Sequence, residues 1–288
     1  SLIHGPMARR FSQRLRVRDT RLRKMTTRWL WVPLLLAMAC GDDDGSDTSD
    51  DARTDGSMPA DGGPIDVGTA SCFAFVDGLL VFEAESIPLN EDWVVRNGEA
   101  GFNGDGYIEW IGESHNNDPT HGVIDLTLRV DEPGRYQLTW RTRIGMGDNT
   151  TEHNDTWVTF PDSADYYGLK GMEGAEVRRY PKPICEDGDA MGALMAMSDI
   201  ETADCVRGSS EGGWLKVYSS GADDWRWIAR TSDSDASTVT VEFDEAGDYT
   251  MRLAARADHS LLDRIVLYRE GTDSDTREDL ALAETRCD

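Results

Sequence analysis

LTLRVDEPGRYQLTWRTR at residues 126–143 and VTVEFDEAGDYTMRLAAR at 239–256 are two copies of one pattern: an alternating apolar run, an Asp-Glu-x-Gly break, and a second run opened by tyrosine. Leu126, Leu128 and Val130 in one copy, and Val239, Val241 and Phe243 in the other, recur at every second position. That period sets one face of a strand inward and the other toward water. Each copy reads as a β-hairpin, and repeated hairpins with turn signals favour two packed sheets. The first arms extend to VIDLTLRV (123–130) and STVTVEF (237–243), and TWVTF (156–160) and WLKVYS (214–219) between the copies read as strands too. No long amphipathic helical pattern interrupts, so the expected fold is all-β, a jelly-roll β-sandwich over residues 72–288.

Upstream, the chain changes character. Arg23, Lys24 and Arg28 precede an apolar run of 11 residues, Trp29 to Ala39, which stops at Cys40 and an acidic stretch. Basic, apolar and small-residue segments in that order make a secretory signal over 25–39, and the run is too short for a membrane span, which needs roughly 20 residues. The Ala39-Cys40 step resembles a bacterial lipoprotein cleavage site, so Cys40 is the expected lipidation position, with an ordinary cleaved signal as the alternative. Residues 1–24, rich in arginine, read as a mis-assigned N-terminal extension ahead of Met25. Residues 40–71, beginning CGDDDGSDTSDDARTDGS, hold almost no large apolar residue and read as a disordered acidic linker. The expected localisation is the bacterial cell envelope, at the outer membrane or cell surface, with membrane contact through the lipid anchor only.

Charge restricts the partners. The whole chain carries −25; residues 1–39 contribute nine basic groups and one acidic group, so removing them leaves −33. Such a charge disfavours phosphate backbones and anionic headgroups, which excludes nucleic acid as an expected partner. Beyond Cys40 four cysteines remain, an even count that suits export and disulfides. Of the three possible pairings we favour Cys185 with Cys205, which would close a loop worth on the order of 3 kcal/mol, and Cys72 with Cys287, which would join the domain's ends. The segment 161–213, rich in Gly, Asp and Met, reads as a long loop insertion, either a binding loop or a disulfide-pinned cover.

FEAES at 82–86 and LLDRIVLY at 261–268 resemble the first and last core strands of family 6 carbohydrate-binding modules and their β-agarase-associated relatives. The resemblance implies a galactose-binding-like jelly roll that binds a polysaccharide or oligosaccharide, without catalysis and as a monomer. It also implies a structural calcium ion held by Glu83, Glu85 and Asp263, and the two glutamates, two apart on a strand, share a face as hard oxygen ligands would. By the same resemblance Trp225, in DDWRWIAR, is one aromatic wall of the sugar site and Tyr107, in GDGYIEWIG, the other, while Trp227 belongs to the core. The family's polar clamp, an Asn two positions before the terminal Asp, is Leu261 here. Other polar groups are then needed for sugar hydroxyls, and His259, Asp258 and the triplet His153, Asn154 and Asp155 are the candidates.

Enzymatic readings fail on context. Gly208-Ser-Ser210-Glu-Gly212 fits a Gly-x-Ser-x-Gly nucleophile pattern, but that pattern needs a helix after the serine, and WLKVYS follows. His115 and His121 lack a third ligand at a recognisable zinc spacing. The competing reading is a structural or adhesion sandwich that binds a protein partner. A hydrolase with the 161–213 segment as a wall comes last.

Overall fold

In the computed structural model, which describes residues 71–171, 175–185, 205–221 and 223–288, the two repeats cross each other and do not fold back on themselves. The chain divides into two units, 1–60 and 61–288, and the signal, Cys40 and nearly all of the linker lie outside the described residues. Strand β5 (Ile124–Val130), which enters the first Asp-Glu-x-Gly corner, pairs with β14 (Gly247–Ala254), which leaves the second. Likewise β6 (Gly134–Ile144) leaves the first corner and pairs with β13 (Ser237–Phe243), which enters the second. The registers match as a dyad would require: Leu128 faces Tyr249 and Val241 faces Tyr136, while Val130 faces Gly247 and Phe243 faces Gly134.

The expected hairpins are therefore arches between layers. Each corner is closed by its tyrosine: Tyr136 Oη donates to the Glu132 carbonyl at 2.7 Å, and Tyr249 Oη to the Glu245 carbonyl at 2.8 Å. The hydroxyl satisfies a backbone acceptor that the turn leaves unpaired, and the ring drops into the core beside Phe75 or Phe243.

One layer runs β1 (Cys72–Ala74), β5, β14, β7 (Asp155–Thr159) and β10 (Leu215–Tyr218). The other is centred on β13, β6 and β15 (Ser260–Arg269), with β2 (Leu79–Glu83), β4 (Tyr107–Trp110) and β3 (Trp93–Arg96) beyond β15. A short strand β12 (Arg230–Thr231) links the layers by pairing with both β10 and β13. Leu126, Leu128, Val158, Val217 and Leu253 from the first layer meet Leu138, Trp140, Val239, Val241, Ile265 and Leu267 from the second in one buried core. This is the expected all-β sandwich, and the alternating residues of both repeats point into it. Among the described residues the α-helix is a single turn, α1 (Ser274–Arg277).

Part of the 161–213 segment is sheet and not loop. Strand β8 (Asp165–Lys170) lies along β13 over five residues, and β9 (Val177–Arg179) extends that edge. Tyr166, Tyr167 and Leu169 are the buried residues that hold β8 down, and a Cβ at Gly168 would press on Thr231 and Ser237. Residues 186–204 lie outside the described residues. Both disulfides form as favoured, with Cα separations of 5.4 Å for Cys72–Cys287 and 5.2 Å for Cys185–Cys205.

Candidate functional site

Strand β15 is buried on both faces, and a bulge in its pairing with β6 decides what its outer face carries. Leu262 pairs with Thr142 and Arg264 with Arg141, so Asp263 is the extra residue. The bulge turns two successive charged residues, Asp263 and Arg264, outward, away from the core that holds Leu262 and Ile265. Both are fully buried, under the C-terminal tail on one side and the loop 97–106 on the other. Arg264 donates to the carbonyls of Leu280 and Leu282 in the tail and pairs with Glu83 at 3.0 Å.

The loop 97–106 lies on these carboxylates. Asn103 N donates to Asp263 Oδ1 at 2.9 Å, and Asn103 Nδ2 to Glu83 Oε1 at 2.6 Å. Asp105 N and Gly106 N donate to Glu85 Oε1 at 2.8 and 3.2 Å. Gly104, at φ +64°, is where the backbone comes closest, and a Cβ there would collide with the Glu85 carboxylate. Arg141, on the outward side of β6, takes the second oxygen of Asp263 and the carbonyl of Gly101.

Glu83 and Glu85 each keep one buried carboxylate oxygen with no partner. Burial pushes both carboxyl groups up, Glu83 to about 7, and raises Asp263 as well. Among the described residues no three His, Cys, Asp or Glu side chains converge as a metal cage. Two desolvated, unpartnered carboxylate oxygens beside a tightly applied loop nonetheless fit a hard cation. Both oxygens of Asp263 are already engaged by Arg141 and Asn103.

Trp225 stands just before the short strand β11 (Arg226–Trp227), which pairs with β6 at Thr142 and Arg141. Its ring is half-buried on the outer face near the loop end. Nε1 donates to the Ala100 carbonyl at 3.0 Å, and the guanidinium carbons of Arg141 and Arg143 sit 5.4 and 5.9 Å from its centroid. Tyr107 does not oppose it as a second wall. Tyr107 is only 4% exposed, and its ring meets Trp225 edge-on at 5.2 Å, which leaves no slot for a sugar between them. Trp227 packs against Leu79, Val81, Val266 and Tyr268, in keeping with a core role. Leu261, at the clamp position, is 1% exposed and offers nothing to a ligand.

The remaining candidates gather at the same end of the sandwich but not around Trp225. His259 Nδ1 lies 2.6 Å from Glu109, and the His153 and His259 rings are 5.8 Å apart. His153, Asn154, Asp155 and Asp258 line a polar cavity of about 410 Å³ with Lys216 and Arg256. Asp155 is buried between Arg256 and Lys216. Asn154 is spent on the backbone, donating to the carbonyls of Thr150 and Ser219. Arg141 and Arg143 stand beside Trp225 and were missed by motif reasoning, although their two-residue spacing in TWRTR is the outward-facing signal that could have found them.

Ser210 bridges to Trp214 and leads into β10, so the Gly-x-Ser-x-Gly pattern has no helix behind it.

No protein-family model and no curated protein sequence matches the chain. Among solved structures, it is similar to a Podospora anserina GH26-CBM35 β-(1,4)-mannanase, at 16% identity over 69% of this chain and 29% of that one, with a TM-score of 0.38. An isomalto-dextranase of Arthrobacter globiformis T6 complexed with panose matches at 12% identity over 66% and 23% of the two chains, TM-score 0.34. A family 35 carbohydrate-binding module from Paenibacillus barcinonensis matches at 14% identity over 66% of this chain and 98% of that module, TM-score 0.31. The chain thus spans under a third of either enzyme and nearly the whole of the module, and that module is of family 35 where the sequence resemblance pointed to 6.

Proposed function

We propose that the chain is a non-catalytic polysaccharide-binding protein of the bacterial cell envelope, exported by residues 25–39, lipid-anchored at Cys40 and held off the membrane by the acidic linker. The observation that carries the reading is Trp225. A half-exposed indole, fixed by its Nε1 hydrogen bond and backed by Tyr107, presents a flat apolar surface. Arg143 beside it, paired with Glu99 at 3.0 Å, supplies polar groups for hydroxyls. The sugar lies on Trp225 and is not sandwiched. Glu83 and Glu85 hold a calcium ion through their unpartnered oxygens, while Asp263 fixes the overlying loop.

The test is a glycan array with purified residues 66–288 and calcium, beside Trp225→Ala. Saturable binding to a defined glycan, weakened at least ~10-fold in the variant, is expected of a tryptophan anchor. Buried Leu261 and the closed Tyr107–Trp225 contact favour a second reading, in which the same aromatic and arginine surface binds a protein partner. A folded, calcium-loaded sample that binds no glycan would select it.

A further inference from the structure

All four histidines among the described residues lie on loops at one end of the sandwich. His115 and His121 stack with centroids 3.7 Å apart, and their loop is tied to the β14–β15 connection: His115 N donates to the Arg256 carbonyl and Ala255 N to the His121 carbonyl. That connection carries His259, and the β6–β7 loop carries His153. The second pair differs from the first in being oriented by acceptors. His153 Nδ1 lies 2.8 Å from the Asp258 carbonyl oxygen and 3.0 Å from its carboxylate, and His259 Nδ1 lies 2.6 Å from the Glu109 carboxylate.

We propose that His153 and His259 form a two-imidazole site for a divalent transition-metal ion such as zinc. Acceptors at Nδ1 hold the proton there and leave a lone pair on Nε2 of each ring, which is how metal-binding imidazoles are set by the groups behind them. Two imidazoles that share one ion at a metal–nitrogen distance of ~2.0–2.1 Å have centroids about 5–6 Å apart, and these are 5.8 Å apart. Both residues also sit in the left-handed region, each at φ 53°, a conformation in which histidine, asparagine and aspartate are enriched. Among the described residues no third side chain of the usual ligand types converges with them. The ion therefore keeps open positions for water or for oxygens of a ligand, beside the polar cavity that His153 lines. Imidazole nitrogen selects zinc, copper or nickel over calcium, so this site is chemically separate from Glu83 and Glu85.

The experiment is calorimetric titration of the full chain, purified without a histidine tag, with zinc chloride in excess calcium. Copper(II) electron paramagnetic resonance on the same sample supplies a second readout. One zinc per chain is expected, with copper showing coupling to two nitrogens. His153→Asn and His259→Asn, chosen because asparagine tolerates the left-handed backbone, should each weaken zinc by at least ~10-fold, and Glu109→Gln by about 10-fold through the orientation of His259. His115→Ala should leave affinity unchanged. The proposal is overturned by no saturable zinc binding to the unmutated chain, by a copper spectrum without nitrogen coupling, or by zinc affinity that survives the double variant.

Discussion

Glu83, at the end of β2 beside Arg264 of β15, shows what a single residue controls. Its carboxyl is pushed from the ordinary 4.5 to about 7, chiefly by desolvation and against the pull of Arg264. The folded state therefore binds this proton more tightly than the unfolded chain. Stability from it is complete below about pH 4.5 and is lost as pH rises through 7, by at most about 3 kcal/mol. Glu85 and Asp263, also raised by burial, act in the same sense. Asp118 and Asp273, lowered chiefly by hydrogen bonds from Thr120 and Thr276, act in the opposite sense at the acid end, so the two windows separate. We expect the chelator-treated protein to lose melting temperature between pH 5 and 7.5, and calcium to restore it. Glu83→Gln should flatten the chelated curve, and an unchanged curve in that variant would refute the assignment. The pair Glu83 and Glu85 was legible in the motif FEAES but not through strand alternation as expected, because β2 ends at Glu83 and Glu85 lies in the single 3-10 turn Ala84–Ser86. The engagement of Asp263 was not, because it depends on a bulge, and one inserted residue leaves no mark on composition or period.

The elements were legible as strands and misread as partners. Both repeats show the period of a half-buried strand, and the Asp-Glu-x-Gly break fits a hairpin loop or an arch equally well. Which neighbour a strand chooses is a tertiary fact, and the local pattern is blind to it. The repeat itself held the missing signal, since two copies of one arch can pair each with the other about a dyad. Tyrosine is what fixes the arch. Removing the hydroxyl of Tyr136, which is fully buried, leaves the Glu132 carbonyl unpaired. Tyr136→Phe should destabilise by about 1–1.5 kcal/mol in urea unfolding, and Tyr249→Phe, at the more exposed corner, by about 0.5–1 kcal/mol. Equal and negligible effects would mean that the corners are held by packing alone. Strand β8 escaped notice because Gly168 and the flanking polar residues break its apolar run, and it is Gly168 that lets it lie against Thr231 and Ser237.

At the scale of the molecule, the Cys72–Cys287 bond joins the two ends of the described domain across a sequence separation of 215. The tail it secures is part of the structure it closes. Thr285 N donates to the Val81 carbonyl, Ala74 N to the Thr285 carbonyl, and the carbonyls of Leu280 and Leu282 are the acceptors for buried Arg264. Freeing the tail would thus lengthen the unfolded chain's freedom and also uncover a buried guanidinium beside Glu83. The chain-entropy account gives this bond about 5 kcal/mol and Cys185–Cys205, across 20 residues, about 3 kcal/mol. Cys72→Ser/Cys287→Ser should therefore lower unfolding free energy more than Cys185→Ser/Cys205→Ser, as read by denaturant titration. Because the tail shields the Glu83 side of the carboxylate pair, only the first variant should also weaken the stabilisation by calcium. If both variants respond to calcium alike, the tail is a covalent fastener and nothing more.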